Sequence, residues 1–153
     1  NRLKVMRDGN QWRPFIEIND LAEAFRRILI TPKDRIQNRI FNLGHPASNT
    51  TIGSVATEVQ DLITQKTGKI PSREWYGSPD TRSYALDYGN IEDALSWTPP
   101  TDLHSGLSRL IDNIQAVGLQ DHPEYHTLSW YQELERNPHM HRRVLLPEGM
   151  INF

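Results

Sequence analysis

Short runs with the two-residue period of strands alternate along this chain with longer runs of helical period. That interleaving restricts the fold to an α/β or α+β arrangement on a small sheet. Residues 14–18, Pro-Phe-Ile-Glu-Ile, read as a strand opened by proline. A helix is predicted next, with Leu21, Ala24, Phe25, Ile28 and Leu29 on one face, Asn19 or Asp20 as its cap and Thr31-Pro32 as its stop. Residues 39–43, Arg-Ile-Phe-Asn-Leu, predict a second strand ending at Gly44. Thr50 or Thr51 should cap a longer helix bearing Ile52, Val55, Ala56, Val59, Leu62 and Ile63, closed by a left-handed Gly68. A short strand over 70–75, a polar loop through Gly77-Ser78-Pro79-Asp80 and a brief helix over 90–95 follow. After Trp97-Thr98-Pro99-Pro100, Thr101 or Asp102 should cap a last helix carrying Leu103, Leu107, Leu110, Ile111, Ile114 and Val117 up to Gly118. Beyond Leu119 the periodicity fades, and no internal repeat is found.

Composition removes whole classes of function. At 153 residues the chain has room for one core. A net charge of −2 gives no electrostatic footprint for a nucleic acid partner. No apolar run nears the roughly 20 residues of a spanning helix, so no membrane partner is expected. The absence of cysteine rules out disulfides, thiolate nucleophiles and cysteine-ligated zinc, and fits a reducing, cytoplasmic setting. Asn1 opens without a Met, a charged n-region or an apolar h-region, so no targeting segment is expected and the numbering is expected to start inside a longer protein.

Signature motifs for dinucleotides, triphosphates, zincins and serine hydrolases are missing, and no tyrosine has a lysine four residues later. His122 and His126, and His139 and His141, have spacings that could face a metal, but no third ligand completes either set, so they read as surface histidines and no metal site is expected. Asn49-Thr50-Thr51 fits the glycosylation sequon, a pattern common by chance. Arg13, between Trp12 and Pro14, and Arg82, in Asp80-Thr81-Arg82-Ser83-Tyr84, stand out. Two guanidinium forks converging from separate loops would suit a diphosphate. Spacing alone favours ordinary surface ion pairs over that reading.

Several blocks together resemble a known family. These are Gln11-Trp12-Arg13-Pro14-Phe15-Ile16, Asp20-Leu21-Ala22 with Ala24, Phe41-Asn42-Leu43-Gly44, Asp80-Thr81-Arg82-Ser83-Tyr84, and Leu95-Ser96-Trp97-Thr98-Pro99 with Gly106-Leu107. In order and spacing the set is similar to the C-terminal half of NAD-dependent nucleotide-sugar epimerases and dehydratases of the extended short-chain dehydrogenase type. The resemblance implies an α/β lobe with a small mixed sheet and amphipathic helices. Residues 1–118 would form the substrate-binding lobe, and residues 119–153 a tail of unassigned structure. The N-terminal Rossmann lobe, with its glycine-rich turn, NAD(P) and catalytic Tyr-x-x-x-Lys pair, would lie outside this chain and carry most of any homodimer contact. By the same resemblance Arg13 and Arg82 would reach the substrate diphosphate, Tyr84 would face nucleotide or sugar, and Asp80 would be a further polar contact. Asp20 also matches a family position, which helix capping explains without a ligand.

Two departures carry expectations of their own. Glu17 stands where the family often has histidine, and would bring negative charge to the diphosphate if its side chain faced that way. Ser96 stands where a glycine is frequent and would hold a left-handed turn at a cost of about 1 kcal/mol. The implied function is nucleotide-sugar binding within an enzyme that transfers hydride at sugar C4, this chain alone being inert. A standalone binding module that lacks catalysis, and a small α/β domain whose arginines make only ion pairs, are the alternatives.

Overall fold

The computed structural model describes residues 2–6, 8–78, 82–118 and 126–139. The chain divides into two units, Asn1–Ile114 and Gln115–Phe153. Within the first, strand β1 (Arg2–Met6) pairs in parallel with β4 (Ser72–Tyr76), Arg2 opposite Ser72 and Met6 opposite Tyr76. Strand β2 (Trp12–Pro14) pairs antiparallel with β3 (Asn49–Thr51). The expected small sheet of mixed sense is thus divided into two separate two-stranded sheets. The helices of this unit are α1 (Ile18–Ile30), α2 (Lys33–Ile36), α3 (Ile52–Thr67), α4 (Gly89–Leu95) and α5 (Leu103–Val117), whose last turn crosses the boundary. In the second unit, α6 (Thr127–Arg136) is a helix that the fading periodicity did not predict.

Helix ends follow local chemistry. The Thr51 hydroxyl accepts the Ser54 N–H and caps α3, and Gly68 closes it at φ +67°. The two amides before Ser54 are also used: Ile52 donates to the Gln11 carbonyl at 3.1 Å and Gly53 to the Gly9 carbonyl at 2.8 Å. Gly9 itself sits at φ +74°, and a Cβ there would lie 3.0 Å from Gly53 Cα, so the close crossing of turn and helix needs glycine. Asp102 accepts the Ser105 N–H at 2.8 Å and starts α5, and this bond holds its carboxyl below the usual aspartate range. Ser96 does take the left-handed conformation, at φ 48° and ψ 45°, where α4 ends.

Four expectations are corrected. Residues 39–43 form no strand among the described residues: Phe41 and Leu43 pack inward and Ile40 is 87% exposed, but no strand lies alongside to supply a ladder. Pairing of the first strand covers Trp12–Pro14 rather than 14–18, because the chain turns at Glu17 into the helix. Glu17, not Asn19 or Asp20, caps α1, its carboxylate accepting the N–H groups of Asn19 and Asp20 at 2.7 and 3.2 Å. Asp20 instead is buried and accepts the Thr101 N–H at 2.9 Å, fastening α1 to the approach of α5. Strand β1, short and polar at alternate positions, was not predicted.

The core is the cluster of Tyr88, Ile91 and Leu95, against which Ile28, Phe41, Leu43, Leu86 and Trp97 pack. Only part of the α1 stripe serves it: Ala24 is buried, whereas Phe25 and Leu29 are 60% and 84% exposed. Val5, Ala56 and Leu62 are also buried, with α3 lying on β1. Among the described residues no helix is long and apolar enough to cross a membrane.

Candidate functional site

The site is built on strand β2. In an antiparallel pair successive residues turn their backbone groups to opposite edges, and the groups of Trp12 are taken by the segment after the polar loop. The Trp12 carbonyl accepts the Tyr84 N–H at 3.3 Å, and the Trp12 N–H donates to Ser83 Oγ at 2.9 Å. From the next residue along, the Arg13 guanidinium reaches the same segment. Its Nη1 donates to the Arg82 carbonyl at 2.6 Å and to the Trp12 carbonyl at 2.7 Å. The guanidinium carbon stands 5.0 Å from the centre of the Tyr84 ring, a cation–π contact.

Further along, the segment is held by Asn49 at the start of β3. The Asn49 side chain donates to the Leu86 carbonyl at 2.8 Å and accepts the Leu86 N–H at 3.1 Å, closing a pair of bonds of the kind a neighbouring strand would make. It also accepts the Tyr88 hydroxyl at 3.3 Å. Burial pushes the Tyr88 phenol up from its ordinary pKa, the Asn49 bond working in the opposite direction. Asn42 adds a bond to the Asp87 carbonyl at 3.0 Å.

Arg13, 69 residues before Arg82, is therefore brought to the Arg82 backbone carbonyl and the Tyr84 ring, with Arg82 and Tyr84 exposed and Arg13 half-buried. Asp80 lies outside the described residues, as do His122 and His141. His126 and His139 are exposed, and among the described residues no group of three or more His, Asp or Glu could hold a metal. Ser83 and Asn49 were missed as site residues. Ser83 occupies an unspecified position of the Asp-x-Arg-x-Tyr pattern, and Asn49 reads in the sequence only as part of a sequon.

A second feature lies apart from this cluster. A cleft of about 510 Å³ opens between the start of α1 and the first turns of α5, lined by Phe15, Ile16, Ile18, Leu103, Leu107 and Leu110 with Glu17 and Arg109 among the polar groups. Arg109 Nη1 stands 3.5 Å from Glu17 Oε1. Glu17 is thus committed to the α1 amides and Arg109, and adds no charge beside Arg13, which corrects the expectation of a carboxylate near the arginines.

The residues here also bear on a dinucleotide. Strand β4 runs into Gly77 and Ser78 rather than directly into a helix, and β1 leads by the Gly9 turn into β2. Strand β3 does run straight into α3 with Gly53 in its first turn, but the amides there are taken by the Gln11 and Gly9 carbonyls and the Thr51 hydroxyl, so that terminus does not fit the pyrophosphate of NAD.

Residues 1–44 match the sequence model of the NAD dependent epimerase/dehydratase family. The chain is 29% identical over 112 residues to UDP-D-apiose/UDP-D-xylose synthase 1 of Arabidopsis thaliana, a match covering 66% of this chain and 28% of that protein. Among solved structures it is similar to UDP-glucuronic acid 4-epimerase from Bacillus cereus in complex with UDP-glucuronic acid and NAD. That likeness has a TM-score of 0.63 at 22% identity and covers 76% of this chain and 36% of the other. UDP-glucose 4-epimerase from Thermotoga maritima with UDP-glucose gives a TM-score of 0.59 at 23% identity, with coverages of 76% and 36%. The chain spans about a third of the length of these relatives. The structural likeness shows the fold: the chain folds like part of these epimerases.

Proposed function

We propose that this chain, a protein of the NAD-dependent epimerase/dehydratase type, is the nucleotide-sugar-binding portion of such an enzyme, formed by residues 1–118. The observation that carries the reading is that Arg13 on β2 reaches the Arg82 backbone carbonyl and the Tyr84 ring. The Arg13 guanidinium beside an exposed aromatic ring, with exposed Arg82 two residues from that ring, suits a diphosphate joined to a planar base. The relatives named above that hold UDP-sugars make that ligand class the natural one. Asp80, two residues before Arg82, is proposed as a further polar contact.

The residues of this chain bind and orient; orientation is itself a large part of catalysis. Hydride transfer at sugar C4, the chemistry NAD(P) supplies when bound, is assigned to a cofactor lobe outside these residues. Epimerisation, dehydration or reduction would follow there, making the whole enzyme an isomerase, a lyase or an oxidoreductase. The exposed Phe25 and Leu29 of α1 give such a lobe an apolar surface to cover, and the cysteine-free composition suits a cytoplasmic enzyme.

Calorimetric titration of the chain with UDP and with UDP-glucuronic acid tests the reading. Binding is expected, and Arg82→Ala should weaken it by about tenfold or more, the loss of a charge-assisted bond. Unaltered affinity in both Arg82→Ala and Arg13→Ala would sink the proposal. NAD added with UDP-glucuronic acid should leave nicotinamide absorbance unchanged, and turnover would overturn the assignment of the chemistry to another lobe.

A further inference from the structure

Residues 82–88 run beside β2 and β3 as a third strand would, yet their attachment is made largely by side chains. One backbone bond, Tyr84 N–H to the Trp12 carbonyl, joins 82–84 to β2. The Trp12 N–H, which a strand would satisfy with a carbonyl, goes instead to the Ser83 hydroxyl at 2.9 Å. At the other end both backbone groups of Leu86 go to the Asn49 amide. The two residues proposed to face the ligand, Arg82 and Tyr84, flank Ser83 directly. A one-residue slip of an extended segment turns each side chain to the opposite face. The register in which the Arg82 carbonyl and the Tyr84 ring meet Arg13 is therefore held by that one backbone bond together with the Ser83 and Asn49 side chains.

We infer that Ser83 and Asn49 are positioning residues of the nucleotide-diphosphate site, acting through Arg82 and Tyr84. This rests on the proposed function above. Ser83 is exposed and makes one bond across the segment, so its removal should displace Arg82 while leaving the core intact. Asn49 makes a two-sided attachment, and Asn49→Asp keeps the acceptor for Leu86 N–H while setting an oxygen against the Leu86 carbonyl in place of the donor.

UDP, titrated calorimetrically into the full chain, is the probe. Ser83→Ala should bind about fivefold more weakly, the worth of one hydrogen bond, and Ser83→Thr, which restores the hydroxyl, should recover most of the loss. Asn49→Asp should bind about tenfold more weakly. A purely structural role would give the same loss whatever occupies position 82. A positioning role predicts that Ser83→Ala costs little further in an Arg82→Ala background, the coupling a double-mutant cycle isolates. Full-strength binding by Ser83→Ala, or additive losses in the cycle, would overturn this inference while leaving the functional reading in place. Failure of the unsubstituted chain to bind UDP would overturn both.

Discussion

Between positions 82 and 95 the chain passes through two kinds of construction. Over 82–86 the side chains of Arg82, Ser83 and Tyr84 are exposed and the segment is held by polar bonds to Trp12, Arg13 and Asn49. Over 88–95 Tyr88, Ile91 and Leu95 are buried together and held by apolar contact. The first construction leaves functional groups facing outward and fixes them by direction. The second excludes water, and its strength scales with area. The difference implies that binding and stability are governed by neighbouring but separable residues, with Tyr88 as the junction, its ring in the core and its hydroxyl on Asn49.

The largest expected effect falls on the apolar side. Ile91 is 1% exposed, and Ile91→Ala should destabilise by about 2–5 kcal/mol in urea unfolding. UDP affinity, measured where the variant is folded, should stay unchanged, and a parallel drop would break the separation. Next comes Gly44→Ala, where a Cβ would stand 2.5 Å from the hydroxyl oxygen of the buried Tyr88. The ring is 4% exposed and lies in the core cluster, and a loss of about 1–3 kcal/mol is expected from the same unfolding measurement.

Tyr88 sharpens the comparison through pH. Burial raises its folded pKa above the ordinary value, so the neutral phenol favours the fold. That contribution is complete below the unfolded value of about 10 and is lost as pH rises beyond it, when the unfolded phenol ionises first. Urea midpoints should fall across that range, and Tyr88→Phe should flatten the decline at the cost of about 1 kcal/mol near neutrality for the Asn49 bond. A decline that persists in Tyr88→Phe would place its origin elsewhere. The smallest effect belongs to Ser83→Ala, whose melting midpoint should move by less than about 0.5 kcal/mol equivalent, as at most surface sites.

Helix ends were largely legible in the sequence because a cap is decided by a few adjacent residues. Thr51, Gly68, Asp102 and Gly118 act as their types predict, and Ser96 takes the left-handed turn. Glu17 was misjudged because its longer side chain reaches back to the same amides a shorter residue would serve. Strands were harder, since a ladder is a property of two segments. The alternation in 39–43 is genuine but has no neighbouring strand among the described residues, whereas polar β1 becomes a strand because β4 lies beside it. Arg13, Arg82 and Tyr84 could be named from resemblance, but their meeting depends on Ser83 and Asn49, whose partners lie far off in sequence.

The parallel pair of β1 and β4 has a consequence for the order in which the molecule assembles. With Arg2 opposite Ser72, the pair closes a loop of about 70 residues, an entropy cost of roughly 4 kcal/mol before any bond of that ladder forms. The turns of α3 form among neighbouring residues, so they condense early and the β1–β4 ladder closes late. By microscopic reversibility β1 is also the first strand to leave, and its amides exchange with solvent through a partial opening that spares the Tyr88 cluster.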